Sequence, residues 1–245
     1  MIYDSHAHMD YFKRKELREI LENSKEVKVV ISNSTDLKSC KKNLKISKEQ
    51  PKIKFAAGLY PGKDLKKNDF APFKEFVEKN KDSIIAIGEI GMDFQESQDR
   101  ETQEYIFRQQ LSLAKELNVP AIIHTRKAEK KVLEVLEEFK NQKIVLHFFH
   151  ANFKLIKKAE DLGFYFSIPT NIVRSEHFQK MVRELSKKRI LTETDSPFLS
   201  PYPNRKHNQP AYIKESIKII AKIWKTTESK VEKQIEENFY KIFRE

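Results

Sequence analysis

Two closely spaced histidines near the start of the chain are the first residues that could form a reactive site. The chain begins with Met1-Ile-Tyr-Asp-Ser-His-Ala-His-Met-Asp10, in which His6 and His8 stand two positions apart. The apolar start predicts a β-strand, on which residues two apart share a face, with Cα atoms about 6.5–7 Å apart. Two imidazoles at that spacing can bind one metal ion through neutral ring nitrogens. On its own, the pair fits a solvated or structural role equally well.

Polar residues of the same kind end other apolar segments of the chain. These residues are Glu89, His124, His147 and Asp195. A buried histidine that caps a core carbonyl is the ordinary alternative for any one of the histidines, but it explains the whole set poorly. Clusters of histidines and carboxylates bind Zn²⁺, Mn²⁺ or similar ions and leave positions open for water. The sequence therefore predicts a metal site, for one ion or for two.

Bringing these residues together requires elements whose ends meet. Short segments rich in Val, Ile and Phe alternate with amphipathic stretches, and they predict strands near residues 2–7, 27–33, 53–59, 84–90, 120–125, 143–148, 164–168 and 189–194. Several are almost wholly apolar, as is typical of parallel strands covered on both faces. Eight strand–helix units in 245 residues predict an α/β fold, a (β/α)8 TIM barrel forming a single domain over residues 1–245. Chemistry in such barrels occurs at the carboxyl ends of the strands.

A doubly wound open sheet is the alternative architecture. The chain has only five glycines and contains neither a GxGxxG segment nor a P-loop, so the phosphate loop usual in such sheets is missing. After the eighth predicted strand, apolar residues recur at helical spacing in two stripes. These are Ile213, Ile217, Ile220 and Trp224, then Val231, Ile235, Phe239 and Ile242. Both stripes predict helices that face the core rather than a cofactor.

Composition limits the classes of protein and partner. Lys and Arg exceed Asp and Glu by 47 − 36 = 11, which suits a polyanionic partner such as nucleic acid but also the lysine-rich surface of a heat-adapted protein. The chain has no apolar stretch of about 18 residues, so we expect no membrane span, and its polar start argues against a signal peptide. Cys40 is the only cysteine, and we expect it to be a partly buried, small apolar residue on a helix. A cytoplasmic protein without an obligate protein partner is expected.

The polar motifs, taken in order, carry a family resemblance. They are Asp4-Ser-His6-Ala-His8, Gly88-Glu89-Ile-Gly91-Met-Asp93, His124-Thr-Arg126, His147 and Glu193-Thr-Asp195-Ser-Pro197. Together they resemble the TatD family of metal-dependent deoxyribonucleases, which belongs to the amidohydrolase-like barrels. The resemblance extends to the end of the chain through Asn208-Gln-Pro210 and Glu237-Asn238-Phe-Tyr240.

The resemblance implies a role for each motif residue. His6 and His8 look like ligands of one divalent ion, with Asp195 completing that side. His124 and His147 look like ligands of a second ion. The remaining roles are a bridge between both ions for Glu89, phosphate contacts for Arg126 and Arg205, and the orientation of Asp195 or of a ligand for Glu193. The implied cofactors are two divalent metal ions, Mg, Mn or Zn.

The expected chemistry is hydrolysis of a phosphodiester by activated water. Divalent ions neutralise phosphoryl oxygens and lower the pKa of a bound water from 15.7 to about 7. Asp195 can accept the proton as the water attacks, so Asp195 and Glu89 are the expected catalytic residues. The expected substrate is DNA, as single strands or ends. The alternatives are a hydrolase of a small phosphoester or an acyl or aminoacyl ester, and a catalytically silent nucleic-acid-binding barrel.

The chain departs from the family pattern at several positions. Tyr60, before Pro61, stands where a histidine is common. Its ring could stack on an unpaired base, its hydroxyl could donate to phosphate, or it could simply pack against Pro61. His150 stands where serine is usual, Lys127 where an acidic residue is common, and the loop of residues 203–208 lacks the expected glycine. These changes leave the predicted metal ligands intact and bear on substrate preference.

Overall fold

Eight strands alternate with helices along the chain. The computed structural model describes residues 1–205 and 207–243, so positions 206, 244 and 245 of the predicted domain lie outside the described residues. Within them the strands are β1 Ile2–Ala7, β2 Val27–Asn33, β3 Ile53–Ala57, β4 Ile84–Asp93, β5 Ala121–Arg126, β6 Ile144–His147, β7 Tyr165–Pro169 and β8 Ile190–Glu193. All eight predicted strands are confirmed. The largest differences are that β3 ends two residues early and β4 continues three residues further.

The helices follow the strands and then close the chain. They are α1 Arg14–Asn23, α2 Leu37–Glu49, α3 Phe70–Lys79, α4 Arg100–Glu116, α5 Glu129–Glu137, α6 Phe153–Asp161, α7 Glu176–Glu184, α8 Ile213–Trp224 and α9 Glu228–Ile242. Several begin at side chains that accept from the first turn: Asp99 from Thr102 N–H in α4, and Asn152 from Leu155 N–H in α6. Across residues 1–205 and 207–243, no helix combines the length and apolar character needed to cross a membrane.

The sheet is parallel and its strands lie in sequence order, from β1 beside β2 to β7 beside β8. The ends of this order meet at a seam between β1 and β8. There the Asp195 N–H donates to the His6 carbonyl at 2.9 Å, and the His8 N–H donates to the Ser196 carbonyl at 2.7 Å. This confirms the (β/α)8 barrel, since a doubly wound sheet would reverse its strand order partway. The seam also joins three of the predicted ligands through the backbone.

Two apolar layers hold the barrel together. An inner cluster takes residues from seven of the strands, including Ile31, Ile122 and Val145, and from α9. Phe239 of α9 packs against Tyr3 with ring centroids 4.7 Å apart. The outer cluster lies between the strands and the surrounding helices. Burial of each such side chain stabilises the fold by roughly 1.5–3 kcal/mol. Helix α9 covers the amino ends of the strands. The cavity lies at the opposite, carboxyl ends.

Two strands carry an extra residue near their predicted ligands. Between the pairs Asp4–Val30 and Ala7–Ser32, β1 advances three residues while β2 advances two. Between Ile87–Ala121 and Ile90–Ile123, β4 does the same against β5. An extra residue of this kind bends a strand and changes the direction of its side chains. The two irregularities therefore fall where His6 and Glu89 must turn toward one centre.

Two glycines let neighbouring backbones approach closely at the predicted ligands Glu89 and His124. A Cβ on Gly58 would lie 2.5 Å from the Glu89 nitrogen. Gly91 has a φ of 144°, and a Cβ there would lie 2.0 Å from the His124 carbonyl oxygen. Only glycine adopts such a backbone conformation without a steric penalty. Gly58 therefore lets its backbone approach that of Glu89, and Gly91 lets β4 approach β5 at His124.

The single cysteine has no access to the cavity. Cys40 lies in α2, as predicted, but it is fully rather than partly buried, with its thiol 3.8 Å from the Gly58 carbonyl. Burial raises the pKa of the thiol to about 12. A protonated, buried thiol is a poor nucleophile, so Cys40 acts as a small core residue.

Candidate active site

The six predicted ligands converge at the carboxyl ends of the strands. They are His6, His8, Glu89, His124, His147 and Asp195. Five of them line a cavity of about 1,100 Å³, and His6 lies buried beneath it. The cavity also brings Tyr60 and Arg126 into the same wall. The barrel therefore assembles residues that stand as far as 189 positions apart in the chain.

The first half of the cluster joins His6, His8 and Asp195. The two Nε2 atoms of the histidines lie 3.2 Å apart. Asp195 Oδ1 is 3.4 Å from each of them. The rings meet edge to face, and the His6 ring stacks on His147 with centroids 3.5 Å apart. Two imidazole nitrogens and a carboxylate oxygen thus point at one position, which suits a divalent ion better than it suits a hydrogen-bond network.

Glu89 faces both halves of the cluster. Its Oε2 lies 3.2 Å from His8 Nε2 and 3.7 Å from His6 Nε2. Its Oε1 lies 2.8 Å from His124 Nδ1 and 3.8 Å from His147 Nε2. Each oxygen therefore completes a set of three donor atoms that all lie within 4.8 Å of one another. The donor set of imidazole nitrogens and carboxylate oxygens fits divalent ions such as Zn²⁺ or Mn²⁺.

Buried carboxylates hold the histidines of the second half from behind. His124 Nε2 lies 3.0 Å from Asp93 Oδ2. His147 Nδ1 lies 2.9 Å from Glu193 Oε2, and that glutamate also accepts from Ser167 Oγ. A carboxylate on the far ring nitrogen fixes the tautomer and leaves the other nitrogen free for a metal ion. The predicted orienting contact of Glu193 is therefore made to His147.

Asp93 was not assigned a role from the sequence, although it ends the motif that contains Glu89. It is fully buried, and its Oδ2 also accepts from Tyr60 Oη at 2.7 Å and Arg126 Nε at 2.7 Å. Asp93 thus connects a histidine of the cluster to two residues of the cavity wall. The signal available in the sequence was its place at the end of the motif Gly88–Asp93, whereas its pairing with Arg126 of β5 is seen only in the structure.

A further buried acidic side chain, Asp4, supports the turn that carries Asp195. Asp4 accepts from the Thr194 N–H at 2.9 Å and from Thr194 Oγ1 at 2.6 Å. Asn208 Nδ2 donates to the Thr194 carbonyl at 2.6 Å. Asp195 itself has a left-handed backbone, with a φ of 56°. Such conformations cost energy and persist where the surrounding contacts enforce them.

Comparison with known proteins identifies the family. The family model described as TatD related DNase matches residues 3–244. The chain belongs to the TatD family. It is 31% identical over 255 residues to an uncharacterized metal-dependent hydrolase, YabD, of Bacillus subtilis (strain 168), covering 100% of this chain and 99% of the relative. Deoxyribonuclease TATDN3 of Homo sapiens is 34% identical over 172 residues, covering 68% of this chain and 62% of that protein. The chain is thus a metal-dependent hydrolase of the TatD family.

A solved TatD structure has the same fold. The crystal structure of the TatD homologue YJJV from Escherichia coli k12 superposes with a TM-score of 0.87 at 21% identity, covering 100% of this chain and 98% of that one. The barrel architecture is therefore that of other TatD proteins.

The predicted substrate-binding residues fall in two places in this TatD protein. Arg126 lies in the cavity wall, where its Nη2 is 3.2 Å from Glu96 Oε2. The Tyr60 hydroxyl is engaged by Asp93, and its ring lies edge-on to His124 at 4.9 Å. Arg205 lies outside this cavity, in an adjacent groove. The structure therefore brings Tyr60 and Arg126 to the cluster of predicted ligands and does not bring Arg205 there.

Two departures from the TatD pattern also lie at the rim. His150 lines the cavity and stacks on His177 with ring centroids 4.1 Å apart. Lys127 lines the cavity with a φ of 58°. The loop of residues 203–208 includes Lys206, which lies outside the described residues. These side chains shape the entrance and leave the ligand cluster unchanged.

The two catalytic candidates are ionised. Burial raises the pKa of Glu89, but hydrogen bonds to His124 and His8 outweigh it and hold the pKa well below its usual range. Burial likewise raises the pKa of Asp195, and its contacts with His6 and His8 bring it below the ordinary value. Both carboxylates therefore carry negative charge at neutral pH and can attract cations.

The histidines divide into two kinds. Burial lowers the pKa of His147, but the charge and hydrogen bond of Glu193 raise it to about 9. Carboxylate neighbours likewise raise the pKa of His8 and His124 above the ordinary value, against the effect of burial. Burial and the nearby charge of His147 lower the pKa of His6 to about 3. The carboxylates that would attract divalent ions thus also favour the protonated forms of these three histidines.

Proposed function

We propose that this TatD protein is a deoxyribonuclease that hydrolyses phosphodiester bonds with two divalent ions. The observation that carries the proposal is the placement of Glu89, whose two oxygens face separate histidine pairs. A carboxylate in this position can bridge two ions. The proposal is supported by a human relative that is named a deoxyribonuclease and by bacterial relatives named metal-dependent hydrolases.

Each ion would have its own ligands on this chain. His6, His8 and Asp195 would hold one, and His124 and His147 the other, with Glu89 shared. The ligand set fits Zn²⁺ or Mn²⁺ more closely than Mg²⁺, which prefers oxygen ligands and retained waters. When bound, such ions neutralise phosphoryl oxygens and acidify water.

The residues of the chain would then position the reacting groups. Asp195 is ionised and can accept a proton from the attacking water. Arg126 lines the cavity with its Nε held by Asp93 and its Nη2 by Glu96, which leaves its Nη1 to contact a phosphate oxygen. The Tyr60 hydroxyl donates to the same aspartate, so its ring rather than its proton is available to the substrate.

The shape and charge of the molecule favour an unpaired strand or a strand end. The ligands lie at the base of a concave cavity, so the scissile phosphate must enter it, and a base inside a duplex cannot follow without leaving the stack. The net charge of +11 favours a polyanion over a neutral acyl ester. We therefore propose single-stranded DNA or DNA ends as the substrate.

The test is a cleavage assay on 5′- and 3′-labelled single-stranded DNA with Mg²⁺, Mn²⁺ or Zn²⁺ added in turn. We expect cleavage that EDTA abolishes, and Asp195→Asn should lower turnover by at least about 10²-fold. Glu129→Gln, on the cavity wall, is the control and should retain turnover. Cleavage of a small phosphodiester but not of DNA would reject the DNA substrate. Near-normal turnover in folded Asp195→Asn would remove Asp195 from the mechanism.

A further inference from the structure

A groove beside the active-site cavity has a wall of exposed aromatic rings. The groove has a volume of about 690 Å³ and shares Tyr11, Phe198 and Leu199 with the cavity. Among the large apolar side chains that are exposed in residues 1–205 and 207–243, three of five line it. These are Tyr11, 55% exposed, Phe198, 48% exposed, and Tyr202, 39% exposed. Such a concentration of exposed aromatic rings is typical of a surface that binds a ligand or a partner.

The aromatic wall of the groove begins beside His8, one of the predicted metal ligands. Tyr11 and Phe198 pack edge to face with centroids 5.6 Å apart. The His8 ring lies 5.6 Å from Tyr11 and 6.1 Å from Phe198. Because an edge-to-face pair leaves one ring face uncovered by its partner, a planar group bound next to His8 could stack there. The pair therefore stands between the reacting centre and the groove.

Two arginines lie on the same groove. Arg174 donates from Nη1 to the Pro201 carbonyl at 3.2 Å, which holds its guanidinium against the loop that carries Tyr202. Arg205 is exposed and pairs with no acidic group among the described residues. Of the described residues that line the groove, Glu16 is the one acid. The groove thus combines excess positive charge with aromatic rings, the combination that binds single-stranded nucleic acid.

We infer that this groove, here called the strand groove, binds the part of a single-stranded nucleic acid that extends beyond the scissile phosphate. The inference rests on the proposed function and adds the path of the strand. The base next to the reacting phosphate stacks at Tyr11 and Phe198. The following phosphate meets Arg174 and Arg205. This assigns Arg205 to a distant phosphate of the substrate rather than to the reacting one.

The first test measures binding of fluorescein-labelled octathymidylate by anisotropy, in an Asp195→Asn background that keeps the strand intact. Adding Phe198→Ala or Tyr11→Ala should weaken binding about tenfold, within the range of about 5- to 150-fold that one base–aromatic stack supports. Tyr105→Ala is the matched control, since Tyr105 is 42% exposed and lines neither cavity. It should leave binding unchanged.

The second test measures the salt dependence of the same binding. Arg174→Gln and Arg205→Gln should each reduce the slope of log affinity against log salt by about 0.7, the value for one phosphate contact on a single strand. Arg183→Gln is the control. Arg174 lies just before the start of α7, whereas Arg183 is exposed near its C-terminal end, so this change should leave the slope unchanged. Equal losses in the control and groove variants would overturn the inference, as would unchanged binding and slope in the groove variants.

A third measurement separates the groove from the reaction itself. The kcat/KM for octathymidylate, divided by that for bis(4-nitrophenyl) phosphate, should fall about tenfold in Arg205→Gln, because Arg205 lies outside the active-site cavity and the small diester has no second phosphate to contact it. A proportional loss on both substrates would mean that Arg205 does not contact a distant phosphate of the strand, and would overturn the strand groove. If the wild-type protein cleaves neither substrate, the proposed function fails, while the binding comparison still decides the groove.

Discussion

At the scale of single residues, the centre depends on carboxylates with several partners. Glu89 contacts histidines from three strand ends, and Asp93 joins His124 to Arg126 and Tyr60. Both are buried, so the loss of either charge leaves neighbouring cationic groups without compensation. Conservative substitutions of these two residues are therefore informative.

Glu89→Gln should reduce the bound metal from about two ions per chain to one or fewer, because the amide lacks the charge that both ions would share. Elemental analysis after reconstitution and dialysis measures this directly. Glu129→Gln makes the same change on the cavity wall and should retain the wild-type metal content. Unchanged metal content and activity in Glu89→Gln would contradict the bridging role.

Asp93→Asn should weaken metal binding about 10- to 100-fold, the effect expected when the partner of a metal-bound histidine is lost. Competition with a chromogenic chelator measures the affinity. Tyr60→Phe removes one hydrogen bond from Asp93 and keeps the carboxylate, so its effect should be smaller. Equal affinities of Asp93→Asn and the wild-type protein would show that His124 is oriented without this contact.

At the scale of secondary structure, β1 and β8 hold the ligands in place and α9 supports them from below. The β1–β8 seam joins the backbones of His6 and Asp195. On the opposite face, Phe239 of α9 lies in the inner core, with its ring 4.8 Å from Phe243. In such barrels the amino-end face contributes stability and the carboxyl-end face chemistry.

Phe239→Ala should lower the free energy of unfolding by about 3–5 kcal/mol, because it removes a large buried ring and leaves a cavity. Urea denaturation measures the loss. Phe239→Leu keeps most of the volume and should cost less than about 1.5 kcal/mol. The fraction of Phe239→Ala that remains folded should keep its metal content, and a loss below 1 kcal/mol would show that α9 is not part of the core.

At the scale of the whole molecule, burial and charge link metal binding to pH. Glu89 and Asp195 are ionised, while their charges and those of neighbouring carboxylates raise the pKa of His147 to about 9 and the pKa of His8 and His124 above the ordinary value. Metal ligands must be deprotonated, so metal ions compete with protons at these histidines. His6 is already neutral and adds nothing to the effect.

Metal affinity should therefore rise with pH between about 6 and 9, since a raised histidine pKa means that protons are held up to that range and must leave on binding. Below about pH 6 the affinity should be weakest. Calorimetry at pH 7 in two buffers of different ionisation enthalpy should show net proton release for each protein chain. No difference between the buffers would contradict the assigned protonation of the histidines.

The barrel and all six candidate ligands could be predicted from the sequence alone. Apolar segments at regular intervals predict eight strands, and polar residues at their ends can be recognised locally, as with His6, His8 and Glu89. The carboxyl ends of parallel strands meet at one edge, so these side chains must converge once the barrel closes. This rule requires no knowledge of distances.

The contacts between individual side chains of the site could be seen only in the tertiary structure. Tyr60 and Arg126 each lie 33 positions from Asp93 in the chain, and no local pattern predicts that both donate to its carboxylate. The strand irregularities that turn His6 and Glu89 inward depend on neighbouring strands. Arg205 followed the family motif in the sequence, yet the loop that carries it folds beside the cavity rather than over it. Such contacts depend on the packing of distant segments, which periodicity along the chain does not encode.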